Sequence, residues 1–324
     1  MTRGYSTLLL FTLGVLFNTI TVSKVHAQTL VSRLWTLSST ATASPAVVID
    51  DETGSVVVQT ANPSRISRLD LQTGNALWEV AVSGGNRSAP TIMYPMQVVF
   101  GSDSLPDGWV YGHDLGTGKK LWEINLRGAP SAATFDGINA VYFGTVGNHR
   151  GGANQYVRLD REGAPKWMVS APEQSTTCPV ILKNGLLVYG GGSFNSLITA
   201  VRASDGVKVW SFDTGGEAVT APSLGPSGQI LATSRSEKLF ALNASTGAKL
   251  WEAVVGREPG SPICDAAGRV YVGASGGKVF AFSGSTGAKL WEMNHGETSD
   301  NPILTLDNQG FIWCGGNVSA VAVS

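Results

Sequence analysis

Residues that could act as nucleophiles, metal ligands or general bases are few and scattered in this chain. The cysteines are Cys178, Cys264 and Cys314, and the histidines beyond residue 30 are His113, His149 and His295. No two cysteines form a Cys-x-x-Cys pair, so neither a zinc site nor a thioredoxin-like site is indicated. Because the count is odd, at least one thiol has no partner within the chain. A Cys264–Cys314 disulfide and buried free thiols are the two open alternatives.

Catalytic motifs that can be recognised from sequence do not occur either. There is no Gly-x-Ser-x-Gly elbow and no His-Glu-x-x-His helix. The glycine runs at 151–152 and 190–192 are not followed by a helical pattern, so phosphate binding is not indicated. His113 is predicted to be a packed strand residue, and Asp50-Asp51-Glu52 is predicted to be a solvated turn. The sequence therefore predicts no catalytic, cofactor-binding or metal-binding residue.

The charge balance argues against a nucleic-acid partner. The chain has 23 Lys and Arg against 24 Asp and Glu, for a net charge of −1. A nucleic-acid-binding domain normally shows a basic excess, which is missing here. The sequence predicts no nucleic-acid partner, no membrane span and a monomer.

The first 27 residues have the layout of a secretory signal peptide. Arg3 provides the positive start, Leu8–Val22 is an apolar run, and Val25-His26-Ala27 resembles a cleavage site. A membrane anchor is the alternative, but the run is short for a span of about 20 residues. No cysteine lies near Ala27, so no lipid attachment is expected. We predict a secreted protein, extracellular or periplasmic if bacterial, whose residues 28–324 form one domain.

A repeated motif dominates the rest of the chain. Six segments contain an apolar strand, a turn with glycine, and a tryptophan four residues after that glycine, as in Leu239–Glu252. The glycines are Gly74, Gly118, Gly163, Gly206, Gly247 and Gly287, and the tryptophans are Trp78, Trp122, Trp167, Trp210, Trp251 and Trp291. Glycine supplies the positive φ of a tight turn. The tryptophans are predicted to pack sheet against sheet rather than to bind ligands.

The spacing of the repeat predicts an all-β fold, a seven-bladed β-propeller. A second pair of short strands precedes each hairpin, giving four antiparallel strands in each unit of about 40 to 45 residues. Leu30–Ser38 contains Trp35, 43 residues before Trp78, and has the character of a fourth strand. We therefore expect this N-terminal strand to complete the last blade and close the ring, which removes exposed sheet edges. Trp35 is then the seventh tryptophan of the repeat.

The segment Ala241–Glu252 resembles the pyrroloquinoline-quinone-type propeller repeat. Relatives with this repeat include quinone-dependent dehydrogenases and the lipoprotein of the outer-membrane barrel-assembly machinery. The dehydrogenases carry eight blades, a pair of adjacent cysteines and a bound calcium, none of which can be carried onto positions of this chain. The resemblance thus implies a non-enzymatic scaffold closer to the assembly lipoproteins, without a cofactor. The alternative is a quinone-dependent oxidoreductase.

A binding function would depend on the loops of one face of the propeller. Loops between blades and loops between second and third strands share that face, and functional residues tend to lie on such loops. The candidate interaction residues are Arg87, Asp107, His149, Arg150, Glu217, Arg235, Arg257 and His295, with Asp103, Glu173, Glu258, Glu297 and Asp300 on the same loops. The partner is expected to be another protein or a cell-surface ligand. Charged loops that are simply hydrated are the alternative.

Overall fold

The fold consists of consecutive antiparallel sheets. The computed structural model describes residues 8–14, 19–25, 32–38, 46–61, 63–84, 88–102, 108–147, 152–171, 177–192, 195–216, 219–294, 303–306, 312–315 and 320–323. Every regular element in this described part is a β-strand.

The strands follow one another from sheet to sheet in chain order. The leader sheet contains β1 (Leu8–Gly14), β2 (Thr19–Val25) and β3 (Ser32–Ser38). Sheet 1 contains β4 (Ala46–Asp50), β5 (Ser55–Ala61), β6 (Ser64–Asp70) and β7 (Ala76–Ala81). Sheet 2 contains β8 (Thr91–Met93), β9 (Gln97–Ser102), β10 (Trp109–Asp114) and β11 (Lys120–Asn125). Sheet 3 contains β12 (Ala129–Pro130), β13 (Thr134–Phe135), β14 (Ala140–Val146), β15 (Gln155–Asp160) and β16 (Pro165–Ser170).

The later sheets repeat the same order. Sheet 4 contains β17 (Val180–Ile181), β18 (Leu186–Gly190), β19 (Leu197–Arg202) and β20 (Lys208–Asp213). Sheet 5 contains β21 (Ser223–Leu224), β22 (Ile230–Ser234), β23 (Lys238–Leu242) and β24 (Lys249–Val254). Sheet 6 contains β25 (Ile263–Cys264), β26 (Arg269–Ala274), β27 (Lys278–Ser283) and β28 (Lys289–Asn294). The terminal sheet contains β29 (Ile303–Leu306), β30 (Ile312–Gly315) and β31 (Ala320–Val323).

Burial follows strand position within each sheet. The second strands β9, β18 and β22 are buried at every residue, because neighbouring sheets cover both of their faces. The fourth strands β24 and β28 alternate between exposed and half-buried residues, as expected for an outer edge. The core therefore lies between sheets, around their middle strands.

Successive sheets pack face to face through shared apolar clusters. Between sheets 4 and 5, for example, Val188 and Ile198 pack against Ile230 and Phe240. Equivalent clusters join each consecutive pair from sheet 1 through to the terminal sheet. This packing of four-stranded antiparallel sheets confirms the predicted β-propeller architecture.

The two ends of the chain differ from the expected arrangement. β3 pairs with β2, and the described part of the terminal sheet has three strands, so no ladder joins β3 to β31. Residues 19–23 alternate hydroxyl and aliphatic side chains, a pattern that suits a strand and offers β3 a partner close in sequence. The count of seven blades and the closure by Leu30–Ser38 stay predictions.

Candidate interaction face

Backbone hydrogen bonds define two opposite faces of the molecule. On the first, which we call the loop face, loops between sheets bind the loops between second and third strands: the N–H of Val255 donates to the C=O of Glu237 (2.9 Å) and that of Ser275 to Arg257 (2.9 Å). On the second, the turn face, the turns of the repeat motif bind the turns between first and second strands. There the N–H of Leu115 donates to Met96 (2.7 Å). The predicted sharing of one face by the two kinds of loop is thus visible in the described sheets.

The repeat tryptophans join neighbouring sheets on the turn face. The indole N–H of Trp210 donates to the C=O of Ala244 in the next sheet (3.1 Å), and that of Trp251 to Gly284 (3.0 Å). Equivalent bonds run from Trp78 to Leu115, from Trp122 to Arg161 and from Trp167 to Ala203. Trp291 packs against Tyr271 with ring centroids 5.8 Å apart, and the side chain of Trp35 lies outside the described residues.

The indole rings pack against the repeat glycines of the next sheet. All six have φ between 72° and 78°. A Cβ at Gly247 would lie 2.6 Å from the Trp210 ring, and one at Gly118 would lie 2.7 Å from Trp78. At five of the six positions glycine is therefore required both for the turn and for the indole of the preceding sheet: Gly118, Gly163, Gly206, Gly247 and Gly287.

The turn face also satisfies its own polar groups. Asp70 accepts hydrogen bonds from the hydroxyl (2.8 Å) and N–H (2.8 Å) of Thr73, and Asp114 accepts the same pair from Thr117. The threonine hydroxyl, followed by the threonine N–H, lowers the pKa of each carboxyl below its ordinary value. A shallow groove between sheets 5 and 6 is lined partly by Gln229 and Trp251, whose side-chain N–H groups both donate to Gly284. Those two donors are already engaged within the protein.

One recurring contact was not predicted from the sequence. Ser88, Ser131, Thr177 and Thr220 each accept a hydrogen bond from an N–H thirteen residues later, as in Thr177 Oγ1 with Gly190 (2.9 Å). Each hydroxyl lies just before a first strand and ties it to the end of the second strand. The available signal was a Ser or Thr two residues before Pro or Ala at the start of these four units.

Asp50 and Arg68 form a buried ion pair in sheet 1. Asp51 and Glu52 are exposed, as predicted for a solvated turn, but Asp50 is 0% exposed. Its carboxylate binds the Arg68 guanidinium (3.1 Å) and accepts hydrogen bonds from Tyr94 (3.0 Å) and Thr53. The prediction for Asp50 was wrong because its partner Arg68 is distant in sequence and contributes the compensating charge.

His113 is packed, as its position in the repeat predicts. It is 2% exposed, its ring lies 5.0 Å from that of Phe100, and Nδ1 lies 2.9 Å from the C=O of Gly118. Nε2 is buried with no partner in the described part of the chain. Burial is the main cause of its lowered pKa, so the neutral imidazole is the folded form.

The three cysteines are free thiols. Cys264 packs in the cluster between sheets 5 and 6, whereas Cys314 is buried in the next cluster along. Their placement in different clusters excludes the Cys264–Cys314 alternative here, and burial raises the pKa of both thiols to about 11. Among the described residues, no group of three His, Cys, Asp or Glu could hold a metal ion.

Two of the candidate interaction residues fall within the described residues. Arg235 lies in the turn between β22 and β23, Arg257 lies between β24 and β25, and both are exposed on the loop face. Glu258 follows Arg257 and is half-buried. The remaining candidates lie outside the described residues: Arg87, Asp103, Asp107, His149, Arg150, Glu173, Glu217, His295, Glu297 and Asp300.

Three charged residues of the loop face have a left-handed backbone. They are Arg127 (φ 54°), Glu237 (φ 61°) and Glu258 (φ 45°), the only non-glycine residues with positive φ in the described chain. At the position of Arg127, five residues after the tryptophan, sheets 4 and 5 have Gly215 and Gly256, both with positive φ.

Glu237, in a different loop, also stands where a sister sheet has a glycine with positive φ. It directly precedes β23, and its counterpart before β27 is Gly277, with φ 72°. A left-handed conformation costs a residue with a side chain roughly 1–2 kcal/mol. Comparing sister sheets would have revealed both positions from sequence, but the repeat motif alone did not.

Charges on the loop face also lack the partners found elsewhere. Around the outer strands and turns, many charges are paired, as in Lys249–Glu252 (2.7 Å), Lys289–Glu292 (2.8 Å) and Arg202–Asp205 (3.0 Å), although Lys119, Lys183 and Lys208 form no ion pair with the described residues. The side chains of Arg127, Arg235 and Arg257 form no ion pair or hydrogen bond with the described residues. Three guanidinium groups are thus available to a partner.

Comparison with known proteins links the repeat to a family. A family model described as outer membrane protein assembly factor BamB matches residues 27–146, 106–261 and 194–322. A curated relative, outer membrane protein assembly factor BamB of Bordetella pertussis, is 26% identical over 191 residues, covering 57% of this chain and 46% of the relative. The chain thus spans less than half the length of that relative in the match.

Solved structures share the fold across nearly the whole chain. The structure of BamB from Moraxella catarrhalis matches with a TM-score of 0.71 at 18% identity, covering 99% of this chain and 91% of that one. A europium-containing methanol dehydrogenase matches with a TM-score of 0.73 at 13% identity, covering 97% of this chain and 81% of that one. At such identities the likeness is one of fold alone. Within the described residues, no helix is long and apolar enough to span a membrane.

Proposed function

Because the chain belongs to the family of the outer membrane protein assembly factor BamB, we propose that it is a non-enzymatic scaffold that binds another envelope protein through its loop face. The family supports a role in outer-membrane protein assembly. The leader predicted for residues 1–27 supports export, and in a bacterium the protein would then work in the periplasm. The domain that acts there is residues 28–324.

The observation that carries the proposal is that charged residues of the loop face have a strained, left-handed backbone. Arg127 and Glu237 stand where sister sheets have glycine, so their side chains are kept at a cost to stability. Strained residues retained in this way tend to mark functional surfaces. The unpaired guanidinium groups of Arg235 and Arg257 add donors suited to carboxylates and backbone carbonyls of a protein partner.

The alternative, a quinone-dependent oxidoreductase, has less support. Its adjacent-cysteine signature has no counterpart, because Cys178, Cys264 and Cys314 are far apart in sequence. An absorbance scan in the visible range and a calcium determination on purified protein distinguish the two functions. A stoichiometric bound chromophore would favour the oxidoreductase.

Capture from the native envelope tests the proposal. The full chain with a C-terminal tag is expressed with its own leader, and partners from a detergent-solubilised envelope are quantified by mass spectrometry. The loop-face variant is Arg235→Ala/Arg257→Ala. The matched control is Arg202→Ala/Lys289→Ala, which removes two exposed, ion-paired cations from the turns and outer strands.

We expect the loop-face variant to lose about tenfold in capture of outer-membrane assembly proteins, the effect of losing roughly 1.4 kcal/mol of binding energy. The control should capture as the parent does. Equal capture by all three proteins, with unchanged folding, would contradict the loop face as the binding surface.

A further inference from the structure

The terminal sheet has an outer edge that differs from those of its neighbours. In sheets 1 to 6, a fourth strand that carries the repeat tryptophan pairs with the third strand. In the described part of the terminal sheet, β31 pairs with β30 and has no partner on its other side. An unpaired edge of this kind is a template for another strand.

β3 has the backbone signature of a fourth strand. In sheet 6, Ala281 pairs with Trp291 and the next pair is Phe282 with Lys289, so the register shifts by one residue immediately before the tryptophan. In the leader sheet, Val22 pairs with Trp35 and the next pair is Ser23 with Arg33, the same shift. β2 therefore occupies the place of a third strand in the ladder of β3.

The residue opposite the tryptophan distinguishes β31 from β2 as the better partner. In four of the six sheets that residue is small: Gly112, Ala200, Ala241 or Ala281. The other two sheets have Arg68 and Arg158 there, so none of the six has a β-branched residue opposite its tryptophan. β2 places Val22 at this position.

β31 offers a small residue in the equivalent place. In sheet 6, Ala281 pairs with Tyr271 of the second strand, and in the terminal sheet Ala322 pairs in the same way with Trp313. Ala322 is thus the counterpart of Ala281, the residue opposite Trp291. This match between Ala322 and Ala281 depends only on the strand register.

We propose that β3 exchanges partners when the leader is removed. In the precursor it pairs with β2. In the mature chain it pairs with β31, with Trp35 opposite Ala322, Thr36 opposite Val321 and Leu37 opposite Ala320. The leader thereby delays ring closure until export, and the exchange rests on the predicted cleavage after Ala27.

Engineered disulfides test both the register and the exchange. In a background with Cys178, Cys264 and Cys314 replaced by Ser, Thr36→Cys is combined with Val321→Cys, and the pair is oxidised in the precursor (1–324) and in the mature chain (28–324). The control, Thr36→Cys with Ala322→Cys, shifts one residue and so directs the two side chains to opposite faces of the sheet. A third pair, Thr21→Cys with Thr36→Cys, reports the pairing with β2 in the precursor.

The 36–321 disulfide should form in the mature chain and be lost in the precursor, where the 21–36 disulfide forms instead. Both are identified by mass spectrometry of non-reduced peptides. Refolding of the parent chains, followed by tryptophan fluorescence, should be slower for the precursor. Formation of the 36–321 disulfide equally in both chains, or preference for the shifted pair in the mature chain, would overturn the exchange or its register.

Discussion

The turn face and the loop face are built from the same repeats, yet they treat their polar groups in opposite ways. On the turn face five of the repeat indoles donate to a carbonyl of the next sheet, five turn glycines face a tryptophan ring, and the aspartates bind their own turns. On the loop face, arginines lack described partners and two charged residues replace glycine in left-handed positions. The turn face holds the sheets together, whereas the loop face has the exposed charges that the proposed binding function requires.

The largest effect should come from removing a tryptophan of the turn face. Trp251→Ala deletes a large aromatic from the boundary of sheets 5 and 6 together with its bond to Gly284. We expect a loss of about 3–5 kcal/mol in the free energy of unfolding, measured by urea denaturation. Trp251→Phe is the matched variant and should lose less. A loss below about 1 kcal/mol for the alanine variant would show that the tryptophans of the turn face do not hold neighbouring sheets together.

Two glycine variants distinguish the cost of backbone strain from the cost of disturbing tryptophan packing. Gly228→Ala and Gly247→Ala both place a Cβ at positive φ, but Gly228 has nothing within 4 Å, whereas Gly247 faces the Trp210 ring. We expect a loss of about 1 kcal/mol for Gly228→Ala and of about 3 kcal/mol for Gly247→Ala, since overpacking adds to strain. Equal losses in thermal or urea unfolding would mean that the indole does not need the glycine.

His113 should make stability depend on pH near the turn face. Burial lowers the pKa of His113 below its ordinary value of 6.5. Above that value both folded and unfolded chains carry the neutral ring, and the contribution is fully present. As pH falls below it, the unfolded chain takes up a proton that the folded chain refuses, so stability declines until the folded pKa is reached.

The decline should not exceed about 1.4 kcal/mol per pH unit. It should be absent in His113→Leu, when urea unfolding is measured between pH 7 and pH 5. An equal slope in the variant would assign the pH dependence to other groups.

The spacing of glycine and tryptophan was sufficient to predict strands, turns and sheet packing. It did not predict which repeat each indole contacts, because Trp210 and the glycine beneath it, Gly247, belong to different repeats. The buried pair of Asp50 and Arg68 was missed for the same reason, since the sequence shows a charged turn but not the side chain that reaches it.

The candidate interaction residues were harder to predict. Loop position singled out Arg235 and Arg257, which are exposed on the loop face, but it did not single out Arg127 and Glu237, and the interaction role of all four stays a proposal. Their signal is conformational: a charged residue is notable there only because its sister position requires glycine. Whether the predicted ring closes through β3 and β31 depends on residues distant in sequence, which a repeat pattern describes only by analogy.

The most direct test of the contrast between the faces is to place glycine at the two strained positions of the loop face where sister sheets have it. In Arg127→Gly/Glu237→Gly, we expect the free energy of unfolding to rise by up to about 2 kcal/mol, partly offset by the greater entropy of the unfolded chain, and the capture of envelope partners to fall. Both quantities are measured on the same preparation. A variant that captures partners as well as the parent, or that is less stable than the parent, would contradict the view that these residues are kept for binding.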